Sequence, residues 1–145
     1  YTAFQRGIFP TYSSIESAVK AGVVYVYDNK GTIYGSVIFD QIQPPEFGNI
    51  PWKYPHSTHE VLSIRLFMVR PSHFRQGIAT AMMNYGADLA RSKGCKVLRT
   101  ECGSQNLPAV MLFKHLGFER AAVASIVIEG LVPADGHVFL EKPLD

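Results

Sequence analysis

The sequence predicts an α/β (α+β) protein, a mixed β-sheet with helices packed on it, for three reasons. The chain has 145 residues, the length of one ordinary domain. Runs of β-branched and aromatic residues occur before, between and after two amphipathic helical patterns. The resulting order, one leading helix and then β-β-β-α-β-α-β-β, is typical of strands and helices that share a core.

The N-terminal third predicts a short helix and a β-hairpin. Ser13 followed by Glu16 has the spacing of a capping box, which predicts a helix that runs to Lys20. Strand-forming runs at 23–27 and 32–39 enclose four turn-forming residues, an arrangement typical of a hairpin. We therefore expect the sheet to begin with two antiparallel strands.

The segment 40–59 has an unusual composition for a loop, since it carries three prolines and several aromatic residues. A long loop of this kind is too apolar to be a mere linker. We therefore expect it to fold over another part of the protein.

Alternation along the strand predicted at 61–69 produces two different faces. The first face is wholly aliphatic, belongs in a core, and consists of Leu62, Ile64, Leu66 and Met68. The second contains a hydroxyl and a guanidinium and consists of Val61, Ser63, Arg65, Phe67 and Val69. Because a buried arginine without a partner would be very costly, we expect the second face to open onto a cleft.

The segment from Val69 to Thr80 carries the clearest functional signal. The apolar strand stops at 70–71, a short polar loop follows, and an amphipathic helical pattern opens with Gly77. A strand that feeds a helix through such a loop leaves the first main-chain N–H groups of the helix without partners. Together with the helix dipole, these donors predict a phosphate or pyrophosphate site.

The second half predicts two helices, a strand between them and two strands after them. The apolar stripe of the first helix is expected to contain Ile78, Met82, Tyr85 and Leu89. A strand is predicted at 96–101, and Asn106 then caps a second helix that ends at Gly117. Its inward side chains are expected to be Ala109, Leu112, Phe113 and Leu116. The last strands are predicted at 118–129 and 137–141, with a Gly/Pro/Asp loop between them.

The composition disfavours several classes of function. A net charge of +2 with scattered basic residues does not indicate a nucleic-acid partner. No run approaches the roughly 18 apolar residues of a membrane span, and no signal peptide is recognisable. Cys95 and Cys102 flank one predicted strand and are expected on opposite faces, unpaired, which favours a reducing cytoplasm. Neither G-x-x-x-x-G-K-[ST] nor G-x-G-x-x-G occurs, which disfavours a nucleotide binder of another fold.

Two motifs resemble those of the GNAT superfamily of acyl-CoA-dependent N-acetyltransferases. The family's pyrophosphate motif, Q/R-x-x-G-x-G/A, corresponds to residues 74–79, with Phe74 in place of the usual Gln or Arg. A second family pattern is matched by Asn106, Ala109, Phe113 and Leu116-Gly117-Phe118. Neither motif is specific alone, but their order and spacing make the joint match strong. The likeness covers residues 25–142, and the family's usual first strand has no counterpart.

The resemblance implies a single GNAT-like domain over 1–145, with a mostly antiparallel sheet splayed at its middle and helices on both faces. It implies that acetyl-CoA lies in a V-shaped opening between the strands that end near Val69 and Glu101. The pantetheine arm would run along Phe67, Met68 and Val69. The pyrophosphate would take N–H donors from Arg75, Gln76, Gly77, Ile78, Ala79 and Thr80. The thioester and pantetheine would lie near Asn106 and Phe113.

The implied activity is direct transfer of an acetyl group to a primary amine of a small molecule or peptide, without a metal. The chemistry needs an oxyanion donor and a base for the incoming ammonium. The candidate donor is the Val69 N–H, and the candidate bases are Glu101, Glu60 and His59, although each is more often only an exposed charge. Phe113 stands where many family members carry a tyrosine that protonates the leaving thiolate. The alternative is therefore an acyl-CoA-binding module with little or no transferase activity.

Four residues are candidates for contact with the acceptor. Arg65, together with Ser63, could hold a substrate carboxylate, or Arg65 could pair with an acidic residue of a neighbouring strand. Trp52 and Tyr54 could wall an acceptor pocket or only seal the sheet. The His-x-x-His pair at 56–59 has no further ligand nearby, so we expect no metal site. The sequence leaves a homodimer open.

Overall fold

The computed structural model describes residues 11–128 and 132–145, which form three helices and six strands. The helices are Tyr12–Lys20 (α1), Ile78–Ser92 (α2) and Leu107–His115 (α3). The strands are Val24–Asn29 (β1), Thr32–Asp40 (β2), Val61–Val69 (β3), Val97–Gly103 (β4), Glu119–Ile128 (β5) and Val132–Pro143 (β6). This is the element order that the sequence predicts. The missing counterpart of the family's first strand concerns residues before position 11 and lies outside the described residues.

The strands form one sheet in the order β1-β2-β3-β4-β6-β5, and each neighbouring pair is antiparallel except the parallel pair β3–β4. The parallel pair is short. It aligns Val61 with Val97, Leu62 with Leu98, and Ser63 with Arg99. Beyond these three positions the two strands diverge, so the predicted mixed, mostly antiparallel sheet with a splayed middle is confirmed.

The predicted hairpin and first helix are both present, but the helix is capped by different residues. Lys30 and Gly31 have φ values of 52° and 88°, as a two-residue turn matching the twist of β1 and β2 requires. At α1 the capping box joins Thr11 to Ser14 rather than Ser13 to Glu16. In both registers a Ser or Thr is followed three residues later by a polar side chain, so the spacing alone could not separate the two registers.

One face of the sheet, which we call the core face, carries the main hydrophobic cluster. It receives α2 and the Phe113 ring of α3. The buried stripe of α2 is rotated from the predicted one, because Tyr85 is 54% exposed while Met83, Gly86 and Ala90 are buried. At Gly86 a Cβ atom would lie 2.7 Å from the Phe39 ring, so a glycine lets the helix approach β2 closely.

The predicted alternation of β3 fails in its second half because of a β-bulge. Ser36 lies opposite Met68 and Ile38 opposite Arg65, so β3 carries one extra residue here. Leu66 takes this extra position, with φ of 49°. Beyond the bulge Phe67 and Val69 pack against the core cluster, and the predicted assignment of these two residues to the polar face was wrong.

The segment 41–60 covers part of the opposite face, as its composition predicts. Phe47 and Trp52 make edge-to-face contacts with Phe139 of β6. Fully buried Glu141 accepts hydrogen bonds from the main-chain N–H groups of Lys53 and Tyr54, at 2.8 and 3.0 Å. A carboxylate on the sheet therefore fixes this segment in place.

Two smaller predictions were wrong in the last third. The predicted Gly/Pro/Asp loop falls largely within the longer strand β6, which begins at Val132. Cys95 precedes β4, and both cysteines contribute to the core side instead of opposite faces. Both thiols are free, as expected.

Candidate active site

The site is built around the gap between β3 and β4. The two strands are paired only as far as Ser63 and Arg99. One step further, the Thr100 hydroxyl donates a 3.0 Å hydrogen bond to the Ile64 carbonyl oxygen, so a side chain replaces the main-chain ladder. Past this contact the gap is bounded by 65–69 on one side and 101–103 on the other.

Main-chain donors of β3 point into this gap. The Arg70 N–H donates to the Tyr34 carbonyl oxygen across the ladder with β2, at 2.8 Å. Hydrogen-bonded and non-bonded pairs alternate in an antiparallel ladder, so Met68 is the next residue bonded to β2. The N–H groups of Phe67 and Val69 therefore face away from β2, toward the gap.

The loop after β3 presents a second set of donors. Within the described parts of the chain, none of the six main-chain N–H groups from Arg75 to Thr80 donates to a protein acceptor. The first such donor of the helix is Ala81, whose N–H binds the Gly77 carbonyl oxygen at 3.0 Å. Gly77 has φ of 79°, so the turn into α2 favours glycine. Anions bind readily at this kind of helix start.

Asn106 and Phe113 lie on the other side of the gap. The Asn106 side chain accepts a 3.4 Å hydrogen bond from the Ala109 N–H, so it caps α3. The buried Phe113 ring contacts the rings of Phe67 and Phe118, with centroids 6.2 and 5.0 Å away. Phe113 therefore supports β3 at the gap from the core face.

Glu101 lies on the opposite face, where β4 borders the gap. Its Oε2 contacts Nδ1 of His137, a residue of β6 that the sequence motifs do not single out. The side chains are only 19% and 9% exposed. The signal that could have found His137 is strand alternation, which puts it on one face with Phe139 and Glu141. Burial, and secondarily the Glu101 carboxylate, raise the pKa of neighbouring Cys102 to about 11.

Glu60 lies elsewhere, at the closed end of the parallel pair. Its carbonyl oxygen accepts from the Lys96 N–H at 2.7 Å, beside the first aligned residues of β3 and β4. Its carboxylate accepts from the Ser57 hydroxyl at 2.9 Å and lies 3.6 Å from the His56 ring. The Ser57 hydrogen bond lowers the pKa of Glu60. The structure therefore does not bring Glu60 to the gap, and its neighbour His59 is exposed at the same end.

Arg65 and Ser63 lie on the opposite face near the start of the gap. The Arg65 guanidinium binds the nearly buried carboxylate of Asp40 on the neighbouring strand β2. This is the ion pair that the sequence offers as the alternative to a substrate contact. The Ser63 hydroxyl is fully buried and has no hydrogen-bond partner among the described residues.

Trp52 and Tyr54 seal the sheet over buried Arg99. The Arg99 guanidinium donates to the Gln43 side chain and to the Tyr54 carbonyl oxygen at 2.7 and 2.9 Å, and it lies 4.3 Å from the centre of the Trp52 ring. The Tyr54 hydroxyl donates to Glu119 at 2.6 Å, which raises the pKa of Tyr54. These contacts lie over the paired half of the sheet and not over the gap.

Two other features are absent from the described residues. No three His, Cys, Asp or Glu side chains are grouped there so that they could hold a metal ion. No helix among 11–128 and 132–145 has the length and apolar character needed to cross a membrane.

The comparisons with known proteins agree with one another. The family model described as the acetyltransferase (GNAT) family matches residues 3–118. An uncharacterized N-acetyltransferase from Methanocaldococcus jannaschii is 33% identical over 64 residues, which are 44% of this chain but only 28% of that protein.

Solved structures show the same fold at low sequence identity. Ard1 from Thermoplasma volcanium has a TM-score of 0.73 and 18% identity, over 97% of this chain and 84% of that one. A GNAT family acetyltransferase from Elizabethkingia anophelis, solved with acetyl-CoA bound, has a TM-score of 0.67 and 18% identity, over 94% and 86%. At these identities the likeness establishes a shared fold.

Proposed function

The chain belongs to the GNAT family of acetyltransferases, and we propose that it moves an acetyl group from acetyl-CoA directly to a primary amine. The acceptor is the amine of a small molecule or peptide. The observation that carries the proposal is the row of N–H groups from Arg75 to Thr80 beside the gap, which have no acceptor among residues 11–128 and 132–145. An enzyme of this class needs both features, one for a diphosphate and one for an extended thioester arm. We further infer that 1–145 form one such domain and that it works in the cytoplasm, which its two free thiols favour.

Acetyl-CoA fits the groups that the protein presents. The pyrophosphate would bind the N–H groups of 75–80, and the pantetheine amides would pair along 67–69. A single anion at a helix start gains only about 0.3–1 kcal/mol. Affinity therefore depends on the sum of many main-chain contacts, which explains why Phe74 can replace the usual polar residue.

The reaction requires three things of the protein near the thioester. The developing oxyanion would receive a hydrogen bond from the Val69 N–H, or from the Phe67 N–H, which also faces the gap. Glu101 would take a proton from the incoming ammonium, through water, so that a neutral amine attacks the thioester carbon. The C–S bond then breaks, the thiolate leaves, and the nitrogen of the new amide gives its extra proton to solvent. Phe113 has no proton for the thiolate, which would take one from solvent.

Phe113, which stands where many family members carry a tyrosine, favours one alternative function. This alternative is a CoA-binding module with little or no transferase activity. The two functions are separated by measuring thiol release from acetyl-CoA with a panel of amines, alongside the Kd of acetyl-CoA by calorimetry. Binding together with amine-dependent thiol release supports the enzyme. Binding with no release on any amine supports the module.

A matched pair of glycine variants tests the acetyl-CoA site itself. Gly77 and Gly94 lie at the two ends of α2, with φ of 79° and 76°, and at both positions a Cβ atom would have no neighbouring atom within 4 Å. Alanine in this conformation costs roughly 1–2 kcal/mol at either site. We expect Gly77→Ala to weaken acetyl-CoA binding several-fold and Gly94→Ala to lower only the stability. Equal Kd values for the two variants would contradict the proposed site.

A further inference from the structure

We propose that His137 is a positioning residue for Glu101, and this inference rests on the function proposed above. Nδ1 of His137 contacts Oε2 of Glu101. A general base must be ionised, and an ionised carboxylate can only accept a hydrogen bond, so the proposed role of Glu101 requires Nδ1 to carry the proton and donate it. One carboxylate oxygen is thereby held, while Oε1 has no hydrogen-bond partner in the described parts of the chain and would be left for the water that receives the substrate's proton.

The backbone of His137 is fixed on both sides, which makes it suited to this task. His137 lies opposite Gly103 of β4 and Ala124 of β5. The residue before it, Gly136, accepts a 2.6 Å hydrogen bond from the Ser104 N–H and has φ of 62°. A Cβ atom at Gly136 would lie 2.8 Å from the Ser104 hydroxyl oxygen. These contacts therefore fix the part of β6 that carries the His137 ring.

The burial of the pair supports positioning over a surface contact. At 9% and 19% exposure, neither side chain could be satisfied by bulk water alone. A charge-assisted hydrogen bond between them is stronger than a neutral one and fixes the direction of both groups. Exposed ion pairs of this kind, by contrast, hold their geometry weakly.

The other charged groups on this face have structural partners. Arg99 binds Gln43 and the Tyr54 carbonyl oxygen, and Glu141 binds two main-chain N–H groups of the covering segment. Neither depends on the His137–Glu101 contact. This pair lies beside the gap, where a fixed base would be of use.

Three substitutions of His137 separate positioning from a general effect on the fold. The amide nitrogen of asparagine is as many bonds from Cα as Nδ1, so His137→Asn can restore the contact with Oε2. Glutamine places its nitrogen near the position of Nε2, and alanine has no donor. We expect kcat to fall about 100-fold in His137→Ala, the cost of a misplacement of ~1 Å. We expect a similar fall in His137→Gln and recovery to within a few-fold of wild type in His137→Asn.

The KM for acetyl-CoA and the melting temperature of His137→Asn should stay close to the wild-type values. In a Glu101→Gln background, His137→Ala should cause no further loss of kcat, because both substitutions remove the same function. Independent losses, or equal activity of the alanine and wild-type proteins, would overturn the inference. So would an asparagine variant as slow as the alanine variant.

A structural readout distinguishes failure of this inference from failure of the proposed function. Long-range ¹H–¹⁵N spectra of the imidazole report the proton on Nδ1, and we expect that signal to change in Glu101→Gln. If wild type transfers no acetyl group but this coupling is present, the proposed function fails and the contact stands. If wild type is active and His137 is insensitive to Glu101, only the positioning inference fails.

Discussion

The same two strands, β4 and β6, carry buried ionisable side chains in both halves of the sheet, but these side chains bind different partners. In the paired half, Arg99 and Glu141 lie opposite each other and hold the segment 41–60. In the splayed half, Glu101 and His137 bind each other beside the gap. Two residues along β4 and four along β6 therefore separate a side chain that maintains the fold from one available for chemistry. The difference depends on whether β3 and the segment 41–60 cover the ionisable side chain.

Among the substitutions that test this comparison, Glu141→Leu is expected to have the largest effect, which is on the stability of the fold. The substitution leaves two main-chain N–H groups without acceptors and Arg99 without a nearby negative charge. A hydrogen-bonding group that is left without its partner costs about 1–3 kcal/mol, and more where the lost partner was charged. We expect that loss in the free energy of unfolding measured by urea denaturation. Glu119→Leu is the control, because Glu119 also contacts Tyr54 but from an exposed position. A loss as small as the control's would mean that Glu141 does not fix the segment.

The corresponding substitution in the splayed half is Glu101→Gln. It keeps the shape and a hydrogen-bond acceptor for His137 but removes the base. General-base catalysis contributes about 100- to 10,000-fold, so we expect kcat to fall by at least the lower figure. The urea midpoint should change far less than in Glu141→Leu. A variant that retains full kcat would exclude Glu101 as the base.

The sequence predicts the features that depend on local patterns, but not those that depend on the register between strands. Strand and helix periodicity predicts the element order, and the two motifs predict where β3 and β4 separate. The bulge at Leu66 could not be predicted, because any aliphatic residue fits the alternation until the register with β2 is known. His137 was missed for a related reason, since a contact between β4 and β6 depends on cross-strand register. The partner of Arg65 was predicted only as one of two alternatives.

Arg65 permits a smaller and more specific test. Because its guanidinium binds Asp40, we expect Arg65→Met to change KM by a similar factor for acceptors with and without a carboxylate. Lysine and its decarboxylated analogue form a matched pair for this measurement. A rise in KM confined to lysine would show instead that Arg65 binds a substrate carboxylate.

The smallest expected effect is on the thiol next to Glu101. Burial raises the pKa of Cys102 to about 11, whereas a cysteine in an unfolded chain has a pKa of about 8.5. The folded state therefore keeps a proton that the unfolded state loses. The contribution of Cys102 to stability is fully present below its unfolded-state pKa and is lost as the pH rises through its folded-state pKa. In a Cys95→Ala background, the thiolate absorbance of Cys102 should rise only near a pH of about 11. In Cys102→Ala, the free energy of unfolding should fall less steeply as the pH rises.

The Cys102 titration also bears on the chemistry. A thiol that stays protonated throughout the neutral range is a poor nucleophile, because the thiolate is the reactive form. Transfer through an acyl-cysteine is therefore disfavoured even though Cys102 borders the gap, and direct attack by the amine is favoured. Glu101→Gln should lower the Cys102 pKa only slightly, since burial is the larger cause. A titration near the ordinary value would show that the thiol is accessible and would reopen the covalent route.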